Sequence, residues 1–143
     1  MNVKAILSLK GSHVTTIEPH ATLEAAIALL AKHRIGAVVV LGADQRLIGI
    51  LSERDIVRAL AELGAGALGT PLSQVMTRKV VTCSEAETVG GIMERMTTGK
   101  FRHVPVLEQE RLVGIVSIGD IVKQRLSEIE LESAALRDYI QTA

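Results

Sequence analysis

The stretch LIGILSERDIVRAL at residues 47–60 returns, respelled, as LVGIVSIGDIVKQRL at residues 112–126. Gly49 faces Gly114, Ser52 faces Ser117 and Asp55 faces Asp120, each pair 65 residues apart. Outward from there the register persists. IGAVVVLGADQRLIGI (35–50) matches FRHVPVLEQERLVGI (101–115), whose loop is one residue shorter. VTTIEPHATLEAAIALLAKH (14–33) matches VVTCSEAETVGGIMERMTTG (80–99). One capping motif recurs by chance; an ordered series of matches marks two related units.

Each unit reads as β-α-β-β-α. Thr15–Ile17 and Val80–Thr82 are short extended segments. Leu23, Ala26, Ile27 and Leu30 recur at helical spacing, as do Val89, Ile92, Met93 and Met96. Thr22 or Ala21 starts the first of these helices, and Gly99 is expected to end the second. AVVVL (37–41) and HVPVL (103–107) are β-branched strands joined by tight connections to LIGIL and LVGIV, giving two hairpins. Pro105 demands an edge or a bulge. A second helix follows each hairpin, at 53–62 and from 118 onward. Units this small leave apolar helix faces uncovered, and pairing the halves buries both. The expected fold is therefore α/β (α+β), built from tandem repeats: a first domain over 10–62, a linker LGAGALGTP over 63–71, a second domain over 72–127, and a helical extension over 128–143. VKAILS and PLSQVM read as short lead-in helices, and the last helix carries a broken apolar stripe that predicts an oligomer contact.

Composition narrows the function. Hydrophobic residues make up 48% of the 143, so the chain folds. Phe101 and Tyr139 are the only aromatics, which leaves an aliphatic core with methionine filler. Sixteen basic residues balance sixteen acidic ones, so there is no broad electrostatic footprint for nucleic acid. The lone Cys83 excludes an intramolecular disulfide and fits a reducing compartment. No apolar run approaches the roughly eighteen residues of a membrane span, and MNVKAILSLKG does not read as a signal peptide. The expectation is a soluble cytoplasmic protein. His13, His20 and His33 form no zinc pattern, and no nucleophile–base or paired-carboxylate arrangement points to catalysis.

The repeated Ser-x-x-Asp has two readings. As a capping box, serine satisfies helix amides and aspartate reaches back to the cap. As a ligand site, a strand delivers a helix N-terminus whose amides favour anions, while the aspartate accepts hydrogen bonds from vicinal hydroxyls. That combination suits a nucleotide, provided a cation meets its phosphate; Arg54, Lys100, Arg102 and His103 are candidates.

On these motifs, across about residues 10–127, the chain resembles a CBS-domain pair, or Bateman module, of the stand-alone bacterial kind. The resemblance implies two units packed about a pseudo-twofold axis. Their clefts bind AMP, ADP or ATP, with NAD or S-adenosylmethionine as alternatives, and bind them as regulatory ligands rather than catalytic cofactors. It implies ribose contacts for Asp55 and Asp120, sugar or phosphate contacts for Ser52 and Ser117, base framing around Thr16 and Thr82, and phosphate contacts for Arg102 and His103. It also implies a flat homodimer. With no output domain in this sequence, the module is expected to act on an unidentified regulated protein or to serve as a nucleotide sensor by another route. The first unit has Gly36-Ala37 where the second has Arg102-His103, so the cleft containing Asp120 is expected to be the stronger site, with Arg54 crossing from the first unit. The competing function is a constitutive interaction scaffold, with the serine–aspartate pairs as plain caps.

Overall fold

A computed structural model describes residues 1–142. The first unit contains β1 (Thr16–Ile17), α2 (Leu23–His33), β2 (Ala37–Leu41), β3 (Leu47–Ser52) and α3 (Glu53–Leu63), preceded by α1 (Val3–Lys10). After a 3-10 turn at Gly64–Gly69, the second contains α4 (Leu72–Val75), α5 (Val89–Gly99), β4 (His103–Glu108), β5 (Arg111–Ser117) and α6 (Ile118–Thr142). Both lead-in helices and both hairpins are present, so the two units repeat one helix–hairpin–helix order.

Local chemistry explains the boundaries. Thr22 Oγ1 accepts from Ala25 N at 3.2 Å and Thr88 Oγ1 from Gly91 N at 3.1 Å, capping α2 and α5. Gly99 does not stop α5: it is the last helical residue, and Lys100 takes the left-handed position at φ 59°, as Arg34 does after α2. Gly99 serves for room instead, because a Cβ there would strike the Phe101 ring. The β4–β5 turn is two residues, Gln109 and Glu110, both at positive φ, which matches the twist of the flanking strands.

β1, β2 and β3 form one sheet, β1 parallel to β2 and β2 antiparallel to β3; β4 and β5 form a second. The second unit lacks an opening strand at Val80–Thr82 and keeps only a single bridge, Cys83 to Val106. Pro105 explains the difference. In the first unit Val39 N donates to Thr15 O at 3.3 Å. The residue 66 positions later is Pro105, which has no N–H to give.

The two cores exchange their lead-in helices. Val3, Ile6 and Leu7 of α1 pack with Val89, Ile92, Val104 and Ile121 of the second unit. Leu72 of α4 and the adjoining Met76 pack with Leu23, Leu30, Val38 and Leu51 of the first. Backbone bonds fix the exchange: Val3 N to Glu87 O at 3.0 Å, and Leu72 N to Ala21 O at 2.9 Å. Among the described residues no helix is long and apolar enough to cross a membrane.

Candidate functional site

Hairpin register places Ser52 opposite Ala37 and Ser117 opposite His103, so each strand ends where the next helix begins. The N-termini of α3 and α6 converge on one cavity of about 700 Å³. Ser52, Asp55 and Arg58 line it from the first unit; Ser117, Ile118 and Gly119 line it from the second. Thr77, Lys79, Val80 and Val81, on the segment after α4, form one side, and Lys100, Phe101, Arg102 and His103 another. Two helix N-termini and several cations favour an anionic group here, while Ile50, Val80 and Val81 supply apolar wall.

Asp55 is 2% exposed. Its Oδ2 accepts from Ser52 N at 2.8 Å and Ser52 Oγ at 3.2 Å. Its Oδ1 accepts from Thr77 Oγ1 at 2.8 Å and Arg58 Nη2 at 2.5 Å. Four donors saturate a buried carboxylate. The Arg58 side chain is 54% exposed, so it is the donor that leaves most cheaply for an incoming hydroxyl.

Asp120 is held differently. Its Oδ2 accepts from Ser117 N at 2.9 Å and from Lys10 Nζ at 2.7 Å, and Lys10 also donates to the Ile115 carbonyl at 2.8 Å. Burial pushes this carboxyl up, but the bonds from Lys10 and Ser117 and the lysine charge outweigh it and hold the group below its ordinary value.

The Arg102-His103 pair has a packing reason for appearing only once. The His103 ring lies over Gly36: a Cβ on Gly36 would sit 3.2 Å from its Cε1 and 3.3 Å from its Nε2. A bulkier pair in the first unit would fill the space that this imidazole occupies. Burial drives the His103 pKa down; Glu53 and Asp120 push it up, Lys10 and Arg102 push it down, and it stays below the ordinary histidine value. Arg54 crosses between units, donating to the Lys100 carbonyl.

Of the residues singled out in the sequence, Ser52, Arg54, Asp55, Lys100, Arg102, His103 and Ser117 share this cavity. Thr16, Thr82 and Asp120 do not line it. Thr16 borders a separate hollow of about 650 Å³ beside His13 and Arg111. The Thr82 carbonyl accepts from Arg95 Nη1 at 3.2 Å. Arg54, Arg102 and His103 therefore line one cavity with Asp55, while Asp120 lies outside that lining, because the exchanged lead-in segments set residues 77–81 against Asp55 and Lys10 against Asp120. Sequence reasoning missed Arg58, Thr77, Lys79, Val80 and Val81. Arg58 had a signal, three residues after Asp55 on a helix; Thr77 had none. Cys83 packs in the second core, and burial followed by the Glu87 charge pushes its thiol up to about 12, which makes it inert. Among the described residues no cluster of His, Cys, Asp or Glu could hold a metal ion.

The CBS-domain family model matches residues 5–62 and again 72–127. Among curated proteins, the mitochondrial CBS domain-containing protein CBSX3 of Arabidopsis thaliana is 35% identical over 124 residues, covering 84% of this chain. The aligned part spans 60% of that longer protein. Among solved structures, a CBS-domain containing protein from Agrobacterium tumefaciens is 48% identical, with a TM-score of 0.85 over 87% of this chain and 92% of that one. The CBS domain protein PAE2072 of Pyrobaculum aerophilum, solved with AMP, is 28% identical, with a TM-score of 0.79 over 93% and 99% of the two chains. The CBS-domain pair of protein MJ0100, solved with 5-methylthioadenosine and S-adenosyl-L-methionine, is 29% identical, with a TM-score of 0.80 over 90% and 98%.

Proposed function

We propose, from the premise that this chain belongs to the CBS-domain family, that it is a non-enzymatic regulatory module whose central cavity binds an adenine nucleotide. One observation carries the reading: a single cavity of about 700 Å³ sets a hydroxyl-accepting carboxylate, Asp55, across from Arg102, His103 and the first turn of α6. That volume is in the range of small-molecule sites. The ribose hydroxyls go to Asp55 as Arg58 swings out, the base lies along Val80 and Val81, and the phosphate meets Arg102, His103 and the Ser117 end of α6. AMP, ADP and ATP fit this layout. The related pairs solved with AMP and with adenosyl ligands support the adenosine part. S-adenosylmethionine, which has no phosphate, uses the carbohydrate and base contacts alone, and NAD spends a second nucleotide beyond the cavity.

Regulation follows when the ligand prefers one conformation over another. Because the cavity wall comes from both units, occupancy changes how they close, and two copies of the chain or a captured protein read that closure. The remaining reading is a constitutive scaffold, favoured by the saturation of Asp55 within the chain.

The deciding experiment is calorimetric titration of nucleotide-stripped protein with AMP, ADP, ATP, NAD and S-adenosylmethionine at two temperatures. A saturable signal that Asp55→Asn removes supports the sensor. No heat with any ligand at either temperature sinks it and leaves the scaffold.

A further inference from the structure

Helix α6 buries only Ile121 of its 25 residues. Beyond it, Val122, Leu126, Ile129, Ser133, Leu136 and Ile140 follow one another at spacings that alternate four and three. The five apolar members are 39% to 64% exposed. That 3.5-residue period is the pattern of a two-stranded seam, held for nearly three heptads and about 27 Å of helix.

We propose that this stripe is the seam of a parallel, in-register dimer of the chain, with α6 packed against α6 of a second copy. The flanking charges select both partner and polarity. With Leu126, Ser133 and Ile140 at a and Val122, Ile129 and Leu136 at d, the g positions carry Arg125 and Glu132, and the following e positions carry Glu130 and Arg137. In a parallel pair each g meets the next e of the other helix, so arginine meets glutamate at both levels and on both sides. An antiparallel pair that keeps the whole seam sets Glu130 against Glu130, Glu132 against Glu132 and Lys123 against Arg137, every one repulsive. Arg125 also pairs with Glu128 at 2.8 Å on the outer side of its own helix, a bond that the interhelical glutamate shares or replaces. The proposal rests on the two-copy part of the sensor reading and not on the nucleotide. It makes α6 one rod, from the cavity wall at Ser117–Gly119 to the partner molecule.

Sedimentation equilibrium of the full chain, read beside disulfide trapping, tests it. The expected mass is twice the 15.3 kDa of one chain. Leu126→Glu with Ile129→Glu gives the monomer mass with unchanged circular dichroism, since both side chains are exposed within a single chain. Glu132→Arg alone weakens the dimer several-fold, and adding Arg137→Glu restores it. Ser133→Cys closes a disulfide between copies on mild oxidation, because position 133 meets itself only in the parallel register; Cys83 is buried and does not compete. A monomeric parent chain overturns the proposal. So does a dimer indifferent to the two glutamates, or one they disrupt but that Ser133→Cys fails to trap. A parent that binds no nucleotide yet dimerises and traps as stated leaves this proposal standing and removes only the sensor reading.

Discussion

Lys10 Nζ lies 2.7 Å from Asp120 Oδ2, so the ammonium group at the end of α1 occupies one oxygen of the aspartate that repeats Asp55. Asp55 has instead the neutral hydroxyl of Thr77 and the half-exposed guanidinium of Arg58 on its outer oxygen. The two halves thus offer a ligand unequal carboxylates, one lining the shared cavity and paired with an exposed arginine, the other paired with a lysine of the exchanged helix.

Lys10→Met removes that commitment. The Asp120 pKa rises towards its ordinary value in a carboxyl-carbon NMR titration. Because the parent value is depressed, the stability tied to it is present above about pH 4 and is lost as pH falls through the lower folded value. The melting difference between parent and variant therefore closes on acidification, and at neutral pH it corresponds to no more than about 1 kcal/mol for so exposed a pair. Calorimetry gives one nucleotide per chain for the parent and two for Lys10→Met. One in both would show that the lysine does not guard a second site.

Asp55→Asn affects fold and ligand together. The amide keeps the size but turns a donor towards Thr77 and Arg58, leaving buried groups mismatched at a cost of about 1–3 kcal/mol. The urea midpoint falls accordingly, and nucleotide heat disappears. Asp120→Asn weakens nucleotide binding much less, and equal losses in the two variants would contradict the unequal roles drawn above.

His103 makes binding pH-dependent. Burial holds its folded pKa below the ordinary histidine value, so stability falls as acid carries the pH from that ordinary value down through the folded one. A bound phosphate stabilises the imidazolium and raises that pKa. Binding then takes up protons at the imidazole, and affinity for AMP rises as the pH falls towards the ordinary histidine range. Titration in buffers of different ionisation enthalpy measures the uptake; His103→Gln abolishes it.

Pro105→Val supplies the missing N–H of the second sheet. The new amide donates to the Val81 carbonyl, by analogy with Val39 to Thr15. Hydrogen exchange detects it as a protected amide at position 105. Global stability changes by less than about 1 kcal/mol, since the new bond offsets the lost stiffness of proline. An amide that exchanges at the rate of an open loop would show that something else keeps the strand apart.

The repeat made the architecture readable. Ser52 and Ser117, each beginning a helix after a glycine-bearing strand, fixed both hairpin–helix junctions, and Thr22 marked a cap that the structure places there. The missing strand at Val80–Thr82 was harder, because Pro105 acts on it from 23 to 25 positions away in sequence. The site was half legible. Seven of ten residues meet in one cavity because they sit at repeated helix starts or at the approach to β4. What could not be read was which aspartate they accompany. That depends on which core each lead-in helix enters, and VKAILS and PLSQVM carry the same apolar pattern whichever core they enter.

The exchange of α1 and α4 amounts to a domain swap performed within one polypeptide. Neither repeat, cut out at the 63–71 linker, contains its own closing helix, so each isolated half would expose a groove that two copies could fill only by trading helices. The timing of synthesis is constrained as well. α1 leaves the ribosome before the second unit, yet its resting place includes Ile121. At about 5–20 residues per second, the nascent helix waits several seconds or longer for its binding site to be made. Its apolar face stays without its native partner over that interval, whereas the residues that pack around α4 all precede or adjoin it in the chain.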